Sequence, residues 1–297
     1  MMKTPRPRLC GLVILGVLAG VGLWAPAHMT SSVQAQTAKP VNSLRMYIFD
    51  LGNLPLTDGS LFDPPIKIEP GDCCIIVGHL IVHPKGTLMW DTGTVPDSLI
   101  GTKTFGAEWY NGKPLRAKLA EIGYRPEDVT YLGLSHYHFD HTANANLFKS
   151  STWIVQETER AAMFADAKPH GMSPPVLSHY NELKNGKTII LANMESYDVF
   201  GDGSVVIQPA PGHTPGQQVL VVKLPKKGRV MVGGDLYHLR QERAAQAVPT
   251  KLEYDVAQSR ASRAKIEEYV KRNNIPLWLV HDSRLYATLP KAPAYIE

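Results

Sequence analysis

Apolar and polar positions alternate in short runs along most of the chain, and the runs predict strands and helices in turn. Residues 45–49 alternate with period two and read as a strand. Runs at 73–82 and 86–90 flank His83-Pro84-Lys85-Gly86, a turn composition, and predict a hairpin. The stretch 50–72, between the first strand and this hairpin, is rich in Gly, Pro and Asp and carries Leu54, Leu56, Leu61 and Phe62. A loop of that length in a compact domain is usually functional or mobile. Leu115, Leu119 and Ile122 share one face of a predicted helix, 114–122, and 131–134 is a short apolar strand. A helix is expected at 143–148. The theme then repeats, with a strand at 153–155, a helix at 157–165 and an irregular stretch at 166–180 that looks like a lid. Strands are predicted at 188–191, 204–209, 218–224 and 229–232, and a last buried one at 276–280. The clearest helix is 255–272, with Asp255 as its N-cap and Ile266 and Val270 on one face. Strands interleaved with helices imply layered α/β packing, sheets inside and helices outside.

The first 35 residues break this rhythm. Lys3, Arg6 and Arg8 precede an apolar run from Leu9 to Trp24, and small and polar residues follow, ending in Val33-Gln34-Ala35. That is the order of a secretory signal peptide, with cleavage after Ala35 preferred and Ala27 as the second choice. The run is shorter than the ~20 residues of a spanning helix. The expected mature chain is therefore 36–297, one exported domain, periplasmic or secreted, with no stable membrane anchor. Removing the leader takes the formal charge from +4 to about +1, which argues against nucleic acid as a partner. Of three cysteines, only the neighbours Cys73 and Cys74 remain, too few for a disulfide framework. They are expected as two small, unlinked core residues.

Histidine is the residue that changes the picture. Ser135-His136-Tyr137-His138-Phe139-Asp140-His141-Thr142 places four potential ligands within six residues, directly after a predicted strand. Extended backbone puts His136 and His138 on one side, spaced for one cation. Asp140 and His141 fall where the chain should turn into a helix and can face a second. A purely structural role would bury several costly polar groups together. His213 in Pro211-Gly212-His213-Thr214-Pro215-Gly216, Asp235 after Gly233-Gly234, and His281 after Trp278-Leu279-Val280 each end a predicted strand. Converging strand ends are how layered α/β folds build sites.

On these motifs the chain resembles the metallo-β-lactamase fold superfamily, across nearly all of 36–297, and within it the N-acyl homoserine lactonases. The resemblance implies an αββα four-layer sandwich, two facing mixed sheets flanked by helices. It implies that His136, His138 and His213 hold one metal, that Asp140, His141 and His281 hold the other, and that Asp235 bridges them. Two divalent cations follow, zinc expected, with iron, cobalt or manganese also suited to such ligands. Such a pair lowers the pKa of a shared water and supplies a nucleophile near neutral pH. The implied activity is opening of a lactone ring. Asp140 either passes a proton to the leaving alkoxide or serves as a ligand only. Asp91, in Asp91-Thr92-Gly93, either orients ligands from behind or caps its own turn.

One departure stands out. Lactonases of this type carry a tyrosine three residues after the bridging aspartate, and here that position is His238, with Tyr237 one residue early. Either could meet the substrate. Leu56, Phe62, Phe105, Trp109, Phe139 and Met172 could line an apolar acyl groove, or simply pack beneath loops. A small-molecule lactone or ester is the expected partner, and a homodimer stays open. Among rival readings, a β-lactamase usually replaces the bridging aspartate, and a glyoxalase II-like thioesterase needs a longer C-terminal region. An organophosphate hydrolase needs only the dinuclear site. A non-catalytic relative would usually have lost ligands.

Overall fold

The computed structural model describes residues 41–104, 106–166 and 175–297. The expected leader, Phe105 and Met172 lie outside the described residues. In chain order come β1 (Arg45–Asn53), β2 (Ile75–His83), β3 (Gly86–Trp90), α1 (Leu115–Glu121), β4 (Tyr131–Gly133), α2 (Phe139–Thr142), β5 (Thr152–Gln156), α3 (Glu157–Met163) and β6 (Thr188–Leu191). Then follow β7 (Tyr197–Asp198), β8 (Val205–Pro209), β9 (Gln218–Leu224), β10 (Gly228–Val232), α4 (Arg240–Ala245), α5 (Val256–Asn273), β11 (Leu277–Trp278), α6 (Ser283–Thr288) and β12 (Tyr295–Ile296).

Two mixed sheets result. The first has the order β12-β1-β2-β3-β4-β5-β6, antiparallel as far as β3 and parallel from β3 to β6. The second has the order β11-β10-β9-β8-β7, with only β10 and β11 parallel. Strand alternation explains how they stack. In β1, Met46 and Ile48 face the second sheet, while Tyr47 and Phe49 face outward. In β9, Leu220 and Val222 face the first sheet, and Val219 and Val221 turn away from it. The outward face of the first sheet is covered by Leu115 and Leu119 of α1 and Met163 of α3. That of the second is covered by Ile266 and Val270 of α5. The expected four-layer αββα sandwich is the observed one. Each fully buried large apolar side chain stabilises it by roughly 2–3 kcal/mol relative to exposure.

Helix α5 begins where its cap predicts, with the Asp255 carboxylate accepting from Gln258 N at 2.9 Å. Other expectations shift. β1 continues through a bulge between Asp50 and Gly52, so the long loop starts later than expected. The helix expected at 143–148 begins earlier, as α2, and gives way to a tighter turn at Ala145–Phe148. The reason is Asn144, whose amide donates to the carbonyls of Thr92 and Val95 and draws the chain toward the end of β3. The strand expected at 276–280 pairs only over Leu277–Trp278, because the chain then turns to deliver His281. Cys74 is buried, while Cys73 is half-buried against the cluster around Phe62. Among the described residues, no helix is long and apolar enough to cross a membrane.

Candidate metal centre

Five strand ends meet at one edge of the sandwich. Asp91 follows β3, the histidine cluster follows β4, His213 follows β8, Asp235 follows β10 and His281 follows β11. Beyond β4 the chain stays extended through His138, so His136 and His138 point one way. Tyr137 points the other, into the core beneath α1 and α3. α2 then starts, with His138 as its cap residue, and its first turn lifts Asp140 and His141 to the same side.

Asp91 holds this segment from below. It sits at φ 57°, a strained backbone for a non-glycine residue. One carboxylate oxygen accepts from Ser135 N at 2.7 Å, and the other lies 3.0 Å from His141 Nδ1. That contact directs His141 Nε2 toward the centre, the arrangement by which a carboxylate orients a ligating histidine. His281 is aimed in the same way by the carbonyl of Ile75, 3.1 Å from its Nδ1. Glu159, at the start of α3, ties the two ligand loops together. It accepts from Tyr137 N at 2.7 Å and from Thr214 Oγ and Gly216 N, both at 2.8 Å. Burial pushes its carboxyl up to about 7 against those three hydrogen bonds.

Two groups of ligand atoms form. His136, His138, His213 and Asp235 make one; Asp140, His141, Asp235 and His281 make the other. Asp235 belongs to both, and its two oxygens divide between them. Oδ2 lies 3.4 Å from His213 Nε2 and 3.7 Å from His136 Nε2. Oδ1 lies 3.2 Å from His141 Nε2 and 3.1 Å from His281 Nε2. Ligands held at ~2.1 Å in tetrahedral coordination stand roughly 3.4 Å apart, so these spacings suit a cation in each group. The buried His136 Nε2, His141 Nε2 and Asp235 Oδ1 have no hydrogen-bond partner, an unfavourable state unless a cation satisfies them.

The electrostatics divide the five histidines. Burial is overcome at His141 by Asp140, at His213 by Glu253 and at His281 by Asp235, which raise all three above the ordinary histidine value until a cation takes the carboxylates' place as partner. Burial, reinforced by neighbouring imidazoles, holds His136 and His138 well below the ordinary histidine value, in the neutral form that ligation needs. Burial also opposes charge on Asp235, but His281, His141 and His136 outweigh it and keep the carboxylate ionised. For Asp140, burial is overcome by His141 and His281, which bring it down to about 2.

The family described as the metallo-beta-lactamase superfamily matches residues 71–252, more than half of the chain. The chain belongs to the metallo-β-lactamase superfamily. Within the superfamily it is 26% identical over 273 residues to the N-acyl homoserine lactonase AttM of Azorhizobium caulinodans, covering 86% of this chain and all of that protein. It is 27% identical over 258 residues to an N-acyl homoserine lactonase of a Bacillus species, covering 82% and 92% of the two chains. A solved quorum-quenching N-acyl homoserine lactone lactonase superposes with a TM-score of 0.68 at 22% identity, over 87% of this chain and all of that one.

The seven superfamily ligands expected from the sequence converge. Of the two residues left open for substrate contact, His238 is at the centre, with Nε2 3.4 Å from Asp235 Oδ2. Tyr237 is not. It is fully buried beneath α5, with the Arg263 guanidinium 4.5 Å above its ring. The short turn at Gly234–Leu236 rotates the chain, sending Tyr237 into the core and His238 to the site. Phe139, Leu56 and His238 line a cavity of about 130 Å³ over the ligands. Phe139 also borders a second cavity of about 370 Å³, walled by Val95, Leu99, Trp109 and Val176. Phe62 instead packs with Leu239 and Ala247 under the loop. Glu159, Glu242, Glu253 and Arg263 around the centre carry no motif and were not anticipated.

Proposed function

We propose that this protein is a dinuclear metal-dependent hydrolase that opens N-acyl homoserine lactones. The observation that carries the hydrolase reading is the division of Asp235 between two complete ligand groups. Bound there, two cations would polarise a carbonyl and ready a water for attack. We take them to be zinc, held by His136, His138 and His213 on one side and by Asp140, His141 and His281 on the other.

Asp140 lies 3.3 Å from His141 Nε2 and 3.5 Å from His281 Nε2 and lines the smaller cavity. As an ionised carboxylate it can accept the proton of the attacking water and return it to the ring oxygen as the lactone C–O bond breaks. His238 takes the substrate-facing position that the tyrosine holds in similar lactonases. The lactone reading draws on the paired cavities. The smaller suits a lactone head over the ligands; the larger, reached past Phe139, is apolar enough for an acyl chain. The relatives named above support the same choice. Residues 1–35, read as a secretory leader, support an exported, periplasmic enzyme.

The test is a substrate panel on the purified, zinc-loaded protein. The expected result is greater kcat/KM on acyl homoserine lactones than on nitrocefin, lactoylglutathione or paraoxon. A clear preference for paraoxon would overturn the lactone reading, and a stoichiometric two-metal protein inert on every substrate would overturn the hydrolase reading.

A further inference from the structure

Behind the centre lies a second, wholly buried layer of charge. Arg263 of α5 is 4% exposed, and its guanidinium reaches two carboxylates. Nη2 donates to Glu242 Oε1 at 2.6 Å and to Glu253 Oε1 at 3.4 Å, while Nη1 donates to the carbonyl of Ala247 at 2.6 Å. One cation thus faces two anions, and a buried pair of this kind does not by itself add stability over a well-packed apolar substitute. Each carboxylate, however, has an imidazole on its far side.

Glu242 turns Oε2 to His238. It accepts from His238 N at 2.6 Å and from Leu239 N at 3.3 Å, and lies 3.3 Å from His238 Nδ1. Held by Glu242 on its Nδ1 side, the His238 ring points Nε2 to the centre, 3.4 Å from Asp235 Oδ2, at the place where similar lactonases carry a tyrosine. Glu253 is the counterpart on the metal side. Its Oε1 lies 3.6 Å from His213 Nδ1, an electrostatic contact, and its Oε2 is held by the Ser259 hydroxyl. This contact directs His213 Nε2 toward the first ligand group.

We propose that Arg263 is a positioning residue that, through Glu242 and Glu253, sets the substrate-facing His238 and the metal ligand His213 together. The proposal rests on the metal-centre reading above but not on the identity of the lactone. Glu242 reaches the centre only through His238, and Glu253 only through the ligand His213.

The test compares Glu242→Gln, Glu253→Gln, Arg263→Met and Arg263→Lys in the full protein, with folding checked by thermal melting. Metal retention against a chelator and the absorption spectrum of the cobalt-loaded protein are read without any substrate. Glu253→Gln is expected to weaken one of the two metals by roughly 10–100-fold and leave the other in place. Glu242→Gln is expected to keep both metals but lower kcat/KM by about tenfold or more and alter the cobalt spectrum. Arg263→Met should show both defects, and Arg263→Lys should recover part of each. Wild-type metal retention in Glu253→Gln, together with a wild-type cobalt spectrum in Glu242→Gln, would overturn the proposal. Should Arg263→Met fail to fold, those two isosteric variants decide it alone. If no lactone is turned over, the metal and cobalt readouts still stand.

Discussion

Nε2 of His281 lies 3.1 Å from Oδ1 of Asp235. The contact follows from strand register. Val232 of β10 pairs with Trp278 of β11, and Asp235 and His281 each stand three residues beyond that pair. Adjacent parallel strands leaving the sheet at equal offsets bring their next side chains to one edge, about 4.8 Å apart in backbone. The remaining oxygen of Asp235 is free to face the other ligand group. Among the described residues, no other candidate ligand falls in both groups.

Asp235→Asn keeps the shape and one acceptor oxygen, but it turns an amide donor toward either His213 or His281. Bound metal should fall from two per chain to one or fewer, and turnover should fall by roughly 100-fold or more. Metal analysis after dialysis, beside a kinetic assay, checks both. Full occupancy with unchanged turnover would remove the bridging role.

A second prediction concerns the turn that delivers His213. Gly212 has φ +136°, and a Cβ there would stand 2.3 Å from Ser259 N in α5. That neighbour is helix backbone and cannot swing aside. The turn is also tied down, with Asp255 N donating to Gly212 O at 2.9 Å and Tyr254 N to His213 O at 3.1 Å. Gly212→Ala should therefore cost about 2–4 kcal/mol of stability and displace His213. Thermal melting and metal content measure the two effects; an unshifted melting curve would contradict the clash.

Much of this was legible because ligand chemistry sits at strand ends. His136 to His141 are contiguous after an apolar strand, and His213, Asp235 and His281 each follow one. Local pattern could not choose between Tyr237 and His238. That choice depends on the turn at Gly234–Leu236, whose rotation is set by packing beneath α5. Nor could it place Glu242, Glu253 and Arg263, which meet only after α4 and α5 fold back on the second sheet. The early end of α2 has a similar origin, since Asn144 finds its partners at Thr92 and Val95, about fifty residues earlier.

His79 in β2 gives a pH prediction. It is fully buried, its Nε2 3.0 Å from the Tyr286 hydroxyl, and burial lowers it to about 3 from an ordinary value of 6.5. The unfolded chain therefore binds a proton between those values and the folded chain does not. Stability from this group is complete above pH 6.5 and is lost as pH falls toward 3. By pH 5 the loss should be about 2 kcal/mol. His79→Gln, which can still bond the Tyr286 hydroxyl, should lose less over the same interval. Urea unfolding of both proteins at pH 7.5 and pH 5 measures the difference, and equal losses would assign the acid sensitivity elsewhere.

The last prediction concerns chain-length preference. The Trp109 and Phe139 rings stand 5.4 Å apart where the larger cavity opens beyond the ligands. An acyl chain passing Phe139 would lie along the Trp109 wall, each buried methylene contributing about 0.8 kcal/mol. A short chain ends before that wall. Trp109→Ala should then lower kcat/KM for a decanoyl homoserine lactone by roughly tenfold, while a butanoyl lactone changes little. The loss should appear mainly in KM, because the wall binds the ground state and the transition state alike. Equal losses on both chains would mean that Trp109 supports the loop rather than the acyl chain. A loss confined to kcat would place its effect at the reacting atoms, away from the groove.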